Sequence, residues 1–163
     1  MRATAIVQQK IFSPETLLQQ IKRWRFLDKT IAFTNGCFDI LHKGHIASLS
    51  QAAAEADVLI VAVNSDASTR RLKGENRPVN NEESRVLLLA SLVMVDAVVI
   101  FDEDTPLQLI NSVQPDVLVK GGDYTIEQIV GAKDVLANGG RVVINPIITG
   151  VSTSLIIDKI TRL

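Results

Sequence analysis

The chain contains two histidines, and they stand together as His42-Lys43-Gly44-His45. They follow an apolar run, Ile31 to Thr34, and lead into a helical pattern. A loop that carries a strand into a helix N-terminus is a ready anion site, because its unpaired N–H groups and the helix dipole both favour negative charge. Imidazoles three positions apart on a helical turn face the same side. Both can then hydrogen-bond phosphate oxygens and follow their charge as it changes during a reaction. Gly44 at the helix start, and Gly36 at the end of the apolar run, let backbone approach a ligand closely, so a nucleotide α- or β-phosphate would rest on those N–H groups.

Other residues near this motif are read against it. Cys37 adjoins it, but between Gly36 and Phe38 it reads as a small apolar residue rather than a nucleophile. The polar stretch 64–81 carries Arg70, Arg71, Lys73 and Arg77 around Gly74 and Pro78. Arg70 and Arg71 are read as solvated positions on a mobile loop. Lys73 and Arg77, beside a helix-breaking glycine and proline, are placed to close over a polyphosphate. Several chemistries lack their motifs. There is no G-x-G-x-x-G fingerprint after the first strand and no G-x-x-x-x-G-K-[ST] loop, which sets aside nicotinamide enzymes and P-loop kinases. No Cys/His cluster has zinc spacing, and no G-x-S-x-G elbow is present, so no metal-ligating residue is assigned.

These residues need a scaffold, and strands alternate with helices along the chain. Apolar runs mark strands at Ile31 to Thr34, Asp57 to Val63, Ala97 to Phe101, Asp116 to Lys120 and Arg141 to Asn145. Runs apolar on both faces suit parallel strands between helix layers. Ser13-Pro14-Glu15 starts a leading helix with Leu17, Leu18, Ile21 and Trp24 at helical spacing. Asn81-Glu82-Glu83 caps another helix carrying Val86, Leu89, Leu92 and Val93, and Ser152 caps a last one with Ile156, Ile160 and Leu163 on one face. The expected architecture is α/β: a Rossmann-like, doubly wound parallel sheet of five strands in the order 3-2-1-4-5, with helices on both faces. That order puts a switch point between strands 1 and 4, so the histidine loop would face the Lys120-Gly121-Gly122-Asp123-Tyr124 loop across one crevice. Residues 1–163 are expected to form one domain, with 1–28 as a helical extension packed on it.

Bulk properties restrict the partners. A formal net charge of −1 steers the chain to neither nucleic acid nor an anionic membrane, so anion binding must be local. A single cysteine cannot form an internal disulfide, which suits a reducing compartment. The first ten residues lack the apolar core of a signal peptide, and no apolar stretch reaches spanning length. A soluble cytoplasmic protein is expected.

The segment Phe33-Thr-Asn-Gly-Cys-Phe-Asp-Ile-Leu-His-Lys-Gly-His45 resembles the first signature of the H-x-G-H nucleotidyltransferases, which include the cytidylyltransferases. Four further segments are similar to the adenylyltransferases that make ADP-heptose from D-glycero-β-D-manno-heptose 1-phosphate. They are Val61 to Asp66, Leu72 to Val79, Leu118 to Tyr124 and Val151 to Ser154. Ser154 stands where that family usually has threonine, which keeps a hydroxyl. The resemblance implies ATP plus a sugar 1-phosphate giving a nucleotide-sugar and pyrophosphate, for lipopolysaccharide core synthesis. It implies that His42, His45 and Lys73 act on the phosphates. It places Thr34, Asn35, Gly36, Cys37, Phe38, Gly44, Lys120, Gly121, Asp123, Ser152 and Thr153 around the nucleotide. Asp39, Asn64, Asp66, Arg77 and Arg85 fall on the acceptor side, with a helix cap and a surface ion pair as the structural roles open to Asp66 and Arg85. Mg²⁺ is expected with ATP, carried mainly by the nucleotide. The same family often fuses this unit behind a sugar kinase, so a separate kinase upstream is expected here, and a homodimer is compatible with the resemblance. Two other readings stay open: a cytidylyltransferase acting on glycerol 3-phosphate or a related phosphate, and a nucleotide-binding subunit without catalysis.

Overall fold

A computed structural model describes residues 4–146, 148 and 150–162. Its sheet contains β1 (Ile11–Phe12), β2 (Ile31–Gly36), β3 (Val58–Asn64), β4 (Ala97–Phe101), β5 (Val117–Gly121) and β6 (Arg141–Asn145). The order is β1-β4-β3-β2-β5-β6, and every neighbouring pair is parallel. The expectation of five strands in the order 3-2-1-4-5 is corrected by the sixth, which pairs Ile11 with Val98 and Phe12 with Val99 at the edge. Two residues are too few to carry a hydrophobic period. This strand forms because the outer edge of β4 offers unpaired backbone groups.

Among the described residues seven α-helices accompany the sheet: α1 (Pro14–Phe26), α2 (Lys43–Ala53), α3 (Asp66–Lys73), α4 (Glu82–Ala90), α5 (Leu107–Val113), α6 (Ala132–Ala137) and α7 (Thr153–Thr161). Side chains alternate across the pleat, so the sheet feeds two cores. Phe33, Ile60, Val99 and Leu118 pack with Leu17 of α1, Ile110 of α5 and Val135 of α6 on one face. Ala32, Leu59, Val61 and Val98 pack with Leu49 of α2 and Val86 and Leu89 of α4 on the other. In α1, Ser13 Oγ accepts the Thr16 N–H and Pro14 fills the first turn, while Leu17 and Ile21 are buried. A cap of this kind is worth about 1 kcal/mol.

Four local expectations change. The polar stretch after β3 is not all loop, because Asp66–Lys73 is helical. Ser65 Oγ caps it through the Ser68 N–H, Asp66 sits at its positive end, and Arg70, Arg71 and Lys73 sit at its negative end. Gly74, at φ +97°, ends it. Arg71 is not a free solvated side chain: its Nε lies 2.7 Å from the Asp104 carboxylate. Val93, expected on the packing face of α4, lies beyond the helix and is 95% exposed. Leu163 lies outside the described residues, and Ile160 of α7 is exposed. Among the described residues no helix is long and apolar enough to cross a membrane.

Candidate active site

β2 and β5 are neighbours, yet the chain leaves them toward opposite faces of the sheet. α2, after β2, packs into one core, and α6, after β5, packs into the other. The divergence opens a crevice beyond the strand C-termini, where ligands bind in such sheets. A cleft of about 520 Å³ occupies it. A larger hollow of about 810 Å³ lies between α1, α5 and the end of β4. Among the described residues its lining contains neither histidine, and the one cation there, Arg71, is paired with Asp104, so it offers no comparable phosphate chemistry.

The histidine motif forms the start of α2. His42 is the N-cap, and its Nδ1 accepts the Gly44 N–H at 3.1 Å. That bond fixes the tautomer: in neutral His42 the proton must sit on Nε2, which is left free to donate. A Cβ on Gly44 would fall 2.9 Å from His42 Cε1, so the glycine is what lets the ring fold back over the helix end. The His42 and His45 rings stack with centroids 3.9 Å apart, and Phe38 meets His45 edge-on at 5.4 Å. Burial pushes the His45 imidazole down to about 4. The nearby His42 adds to this, and the Ile40 carbonyl opposes it. Burial also lowers His42. Both rings are therefore neutral donors at pH 7 in the free protein. His45 Nδ1 is buried without a hydrogen-bond partner among the described residues.

Cations converge on the same cleft. Lys120, on β5, reaches Asn35 Oδ1 at 3.4 Å and lies 5.8 Å from the Tyr124 ring centre. Burial holds Lys120 below the usual lysine value. Cys37 opposes that shift, and the like charge of Lys73 adds to it. Two lysines facing a common space favour an anion between them. Cys37 contacts Asn64 Oδ1 through its thiol at 3.8 Å.

The cleft brings together Asn35, Gly36, Cys37, Phe38, Asp39, His45, Asn64, Lys73, Arg77, Lys120 and Thr153. The remaining candidates sit elsewhere. Thr34 is buried in the sheet, and Gly121 gives close approach to Ser48, whose Oγ would lie 2.9 Å from an added Cβ. Asp123 is exposed outside the lining. Ser152 Oγ is occupied as the α7 cap by the Leu155 N–H at 3.1 Å, while Ser154 lines the cleft in its place. His42 and Gly44 stand at the helix end described above and are not among the residues lining the cleft.

The acceptor-side set divides further. Asp39 is almost wholly buried and both its oxygens are engaged, by Arg77 Nε at 2.6 Å and by the Val79 and Asn80 N–H groups at 2.8 and 2.9 Å. It therefore holds the loop after α3 against β2 rather than offering an oxygen to a ligand. Arg85 is fully buried on α4. It donates to the Cys37 carbonyl at 2.6 Å, the Asn80 carbonyl at 3.0 Å and the Asp66 carboxylate at 2.8 Å. Arg85 and Asp66 lie behind the cleft and fasten its walls. Tyr124 lines the cleft with the Lys120 loop as expected, and sequence reasoning missed Leu72, Asp104, Thr105, Pro106 and Gln128 as lining residues. The available signal for Asp104 to Pro106 was position alone, in a loop following a strand C-terminus beside the switch point.

Residues 33–159 match the cytidylyltransferase-like family model. The chain is 52% identical over 154 residues to the bifunctional protein HldE of Koribacter versatilis, covering 94% of this chain and 32% of that protein. It is 56% identical over 149 residues to the bifunctional protein HldE of a Marinomonas species, covering 91% and 31%. The chain thus spans about a third of the length of the curated relatives it matches. Among solved structures, a lipopolysaccharide core biosynthesis protein from Thermoplasma volcanium superposes with a TM-score of 0.59 at 31% identity, covering 74% of this chain and 97% of that one. A pantoate-beta-alanine ligase from Francisella tularensis, complexed with beta-gamma ATP and beta-alanine, shares the fold at a TM-score of 0.57 and 16% identity, covering 94% and 78%. With its histidine pair at a helix N-terminus, its cations gathered at the switch point and relatives of this closeness, the chain belongs to the cytidylyltransferase-like family and is a nucleotidyltransferase.

Proposed function

We propose that this chain transfers AMP from ATP to D-glycero-β-D-manno-heptose 1-phosphate, giving ADP-heptose and pyrophosphate for lipopolysaccharide core synthesis. The observation that carries the reaction type is the state of the acids in the cleft. Two carboxylates line it among the described residues, Asp39 and Asp104, and both accept from arginines. Neither is set up as a general base. That suits a nucleophile that arrives already ionised, and a sugar phosphate is one. A phosphate oxygen of the acceptor forms a bond to the α-phosphorus of ATP as the bond to the β-phosphate oxygen breaks, and pyrophosphate leaves with that electron pair. Catalysis then consists of in-line positioning and of stabilising charge on the α-phosphate and the leaving group.

The residues divide these tasks. His42 and His45 donate N–H to the α- and β-phosphate oxygens, and their low proton affinity in the free protein rises as those oxygens gain charge. Lys73 and Lys120 supply fixed positive charge. The N-terminus of α7, with Thr153 and Ser154, receives the β- and γ-phosphates. Among the described residues no group of three or more His, Cys, Asp or Glu side chains could hold a metal ion. We therefore assign Mg²⁺ to the nucleotide as part of the substrate. The acceptor's phosphate must be installed by a sugar kinase acting beforehand. The acceptor itself is supported by the identity to the HldE proteins and by the Lys120 to Tyr124 and Ser152 to Ser154 segments.

Pyrophosphate release measured with ATP or CTP against heptose 1-phosphate or glycerol 3-phosphate tests this. Release with ATP and heptose 1-phosphate is expected, and release only with CTP would overturn it. His45→Ala should lower that turnover by about 10²–10³, the usual loss for one donor to developing charge. Sedimentation of the same preparation reads whether the chain forms the homodimer with which the resemblance is compatible.

A further inference from the structure

Asp104 is one of two carboxylates on the cleft lining among the described residues, and it also borders the neighbouring hollow. It lies in the loop between β4 and α5, with Thr105 and Pro106 beside it on the lining. β4 stands two strands from β2, on the side away from β5. At the usual strand spacing this is roughly 10 Å to one side of the histidine loop. The phosphates belong over β2 and α2, and Lys120 and Tyr124 lie over β5. The β4 end of the cleft is what remains for the body of the acceptor.

The loop is tied down. Ser65 Oγ donates to the Asp102 carboxylate, and Ser68 Oγ donates to the Glu103 carbonyl at 3.0 Å. The Arg71 guanidinium donates to the Asp102 carbonyl and, through Nε, to Asp104 Oδ1 at 2.7 Å. The other Asp104 oxygen has no hydrogen-bond partner among the described residues, and the side chain is 66% exposed. Asp39, the second acid of the lining, has both oxygens occupied. Asp104 is thus a fixed carboxylate with one oxygen left to accept. Near a phosphate such a group would repel the substrate. Toward hydroxyls it is the strongest acceptor a side chain offers.

We infer that Asp104 accepts hydrogen bonds from hydroxyl groups of the acceptor and selects a polyhydroxylated sugar phosphate over a smaller phosphate. This deepens the acceptor reading above and rests on it. A site built to bond a hydroxyl discriminates against analogues that lack it, because its own polar group is then left unpaired. Arg71 supports the selection by holding the carboxylate in one orientation.

Steady-state kinetics of wild type, Asp104→Ala and Asp104→Asn, with heptose 1-phosphate, mannose 1-phosphate and glycerol 3-phosphate as acceptors, tests the inference. Asp104→Ala should raise KM for heptose 1-phosphate about tenfold or more, the worth of a hydrogen bond to a charged group. KM for ATP should stay unchanged, and the preference for sugar phosphates over glycerol 3-phosphate should shrink. Asp104→Asn keeps an acceptor for Arg71 and should fall between wild type and Asp104→Ala. An unchanged acceptor preference in both variants would overturn the inference, as would a parallel rise in KM for ATP. The wild-type panel judges the acceptor reading separately. If another hydroxylated phosphate is the best substrate, the heptose assignment falls and Asp104 is judged by the same ratios on that substrate. If the best substrate is glycerol 3-phosphate, both fall.

Discussion

Replacing Arg85 with methionine removes a charge that is fully buried yet touches no cleft surface. Methionine fills much of the same volume, so the change removes donors more than packing. Three acceptors lose their partner: the Cys37 carbonyl at the end of β2, the Asn80 carbonyl before α4 and the Asp66 carboxylate at the start of α3. Breaking a buried ion pair from one side costs about 3–5 kcal/mol, because the partner charge is left uncompensated. The Asp66 side chain is 24% exposed, so water relieves part of that, and the lower end, about 3 kcal/mol, is expected. For a chain of this size that corresponds to about 6–12 °C in Tm. Urea unfolding followed by the single tryptophan, Trp24, reads it as a lower midpoint at unchanged slope. Arg85→Lys keeps the charge but loses the planar fork and should fall between the two. At a temperature where Arg85→Met is still folded, turnover should also fall, because the backbone on both sides of the cleft is released together. A loss below about 1 kcal/mol would refute the reasoning and make these three contacts incidental.

Three other outcomes follow from the site. The folded His45 pKa of about 4 lies below the unfolded value of 6.5, so the unfolded chain binds more protons between them and stability falls as pH drops from 6.5 to 4. Because the ring is partly open to solvent, the loss is expected at about 2 kcal/mol, less than the full shift implies; His45→Gln should flatten that part of the stability–pH curve, and parallel curves would contradict it. Gly44→Ala gains about 1 kcal/mol of helix propensity but sets a methyl 2.9 Å from the His42 ring, so unfolding should change little while turnover drops at least tenfold; full activity would show that the folded-back ring is unnecessary. Cys37→Ser should keep most of the turnover, and complete loss in a stably folded variant would establish a role for the thiol.

Some of this was written in local residue patterns. The strands β2 to β6 announce themselves as apolar runs, and Ser13, Asn81 and Ser152 announce the helix starts they cap, because burial and capping depend on near neighbours. The His42–His45 pair was legible for the same reason, since one helical turn suffices to put both rings on one side. β1 was not legible: two residues become a strand only against the edge of β4. Nor was α3, whose apolar content is low and whose helix is held by Ser65 and by the acids that pair with Arg71.

Among the site residues, sequence determined chemical type, and tertiary structure decided use. Asp39, Asp66 and Asp104 are the same side chain. The fold saturates Asp39 with Arg77 and two N–H groups, turns Asp66 inward onto Arg85, and leaves one oxygen of Asp104 without a partner among the described residues. Those fates depend on partners 19 or more residues away in the chain, and no local spacing encodes them. The sequence by itself determined a histidine turn at a helix N-terminus on a parallel α/β scaffold. Only the packed molecule decided which cations and acids face that turn, because burial and hydrogen-bond saturation are properties of the assembled walls.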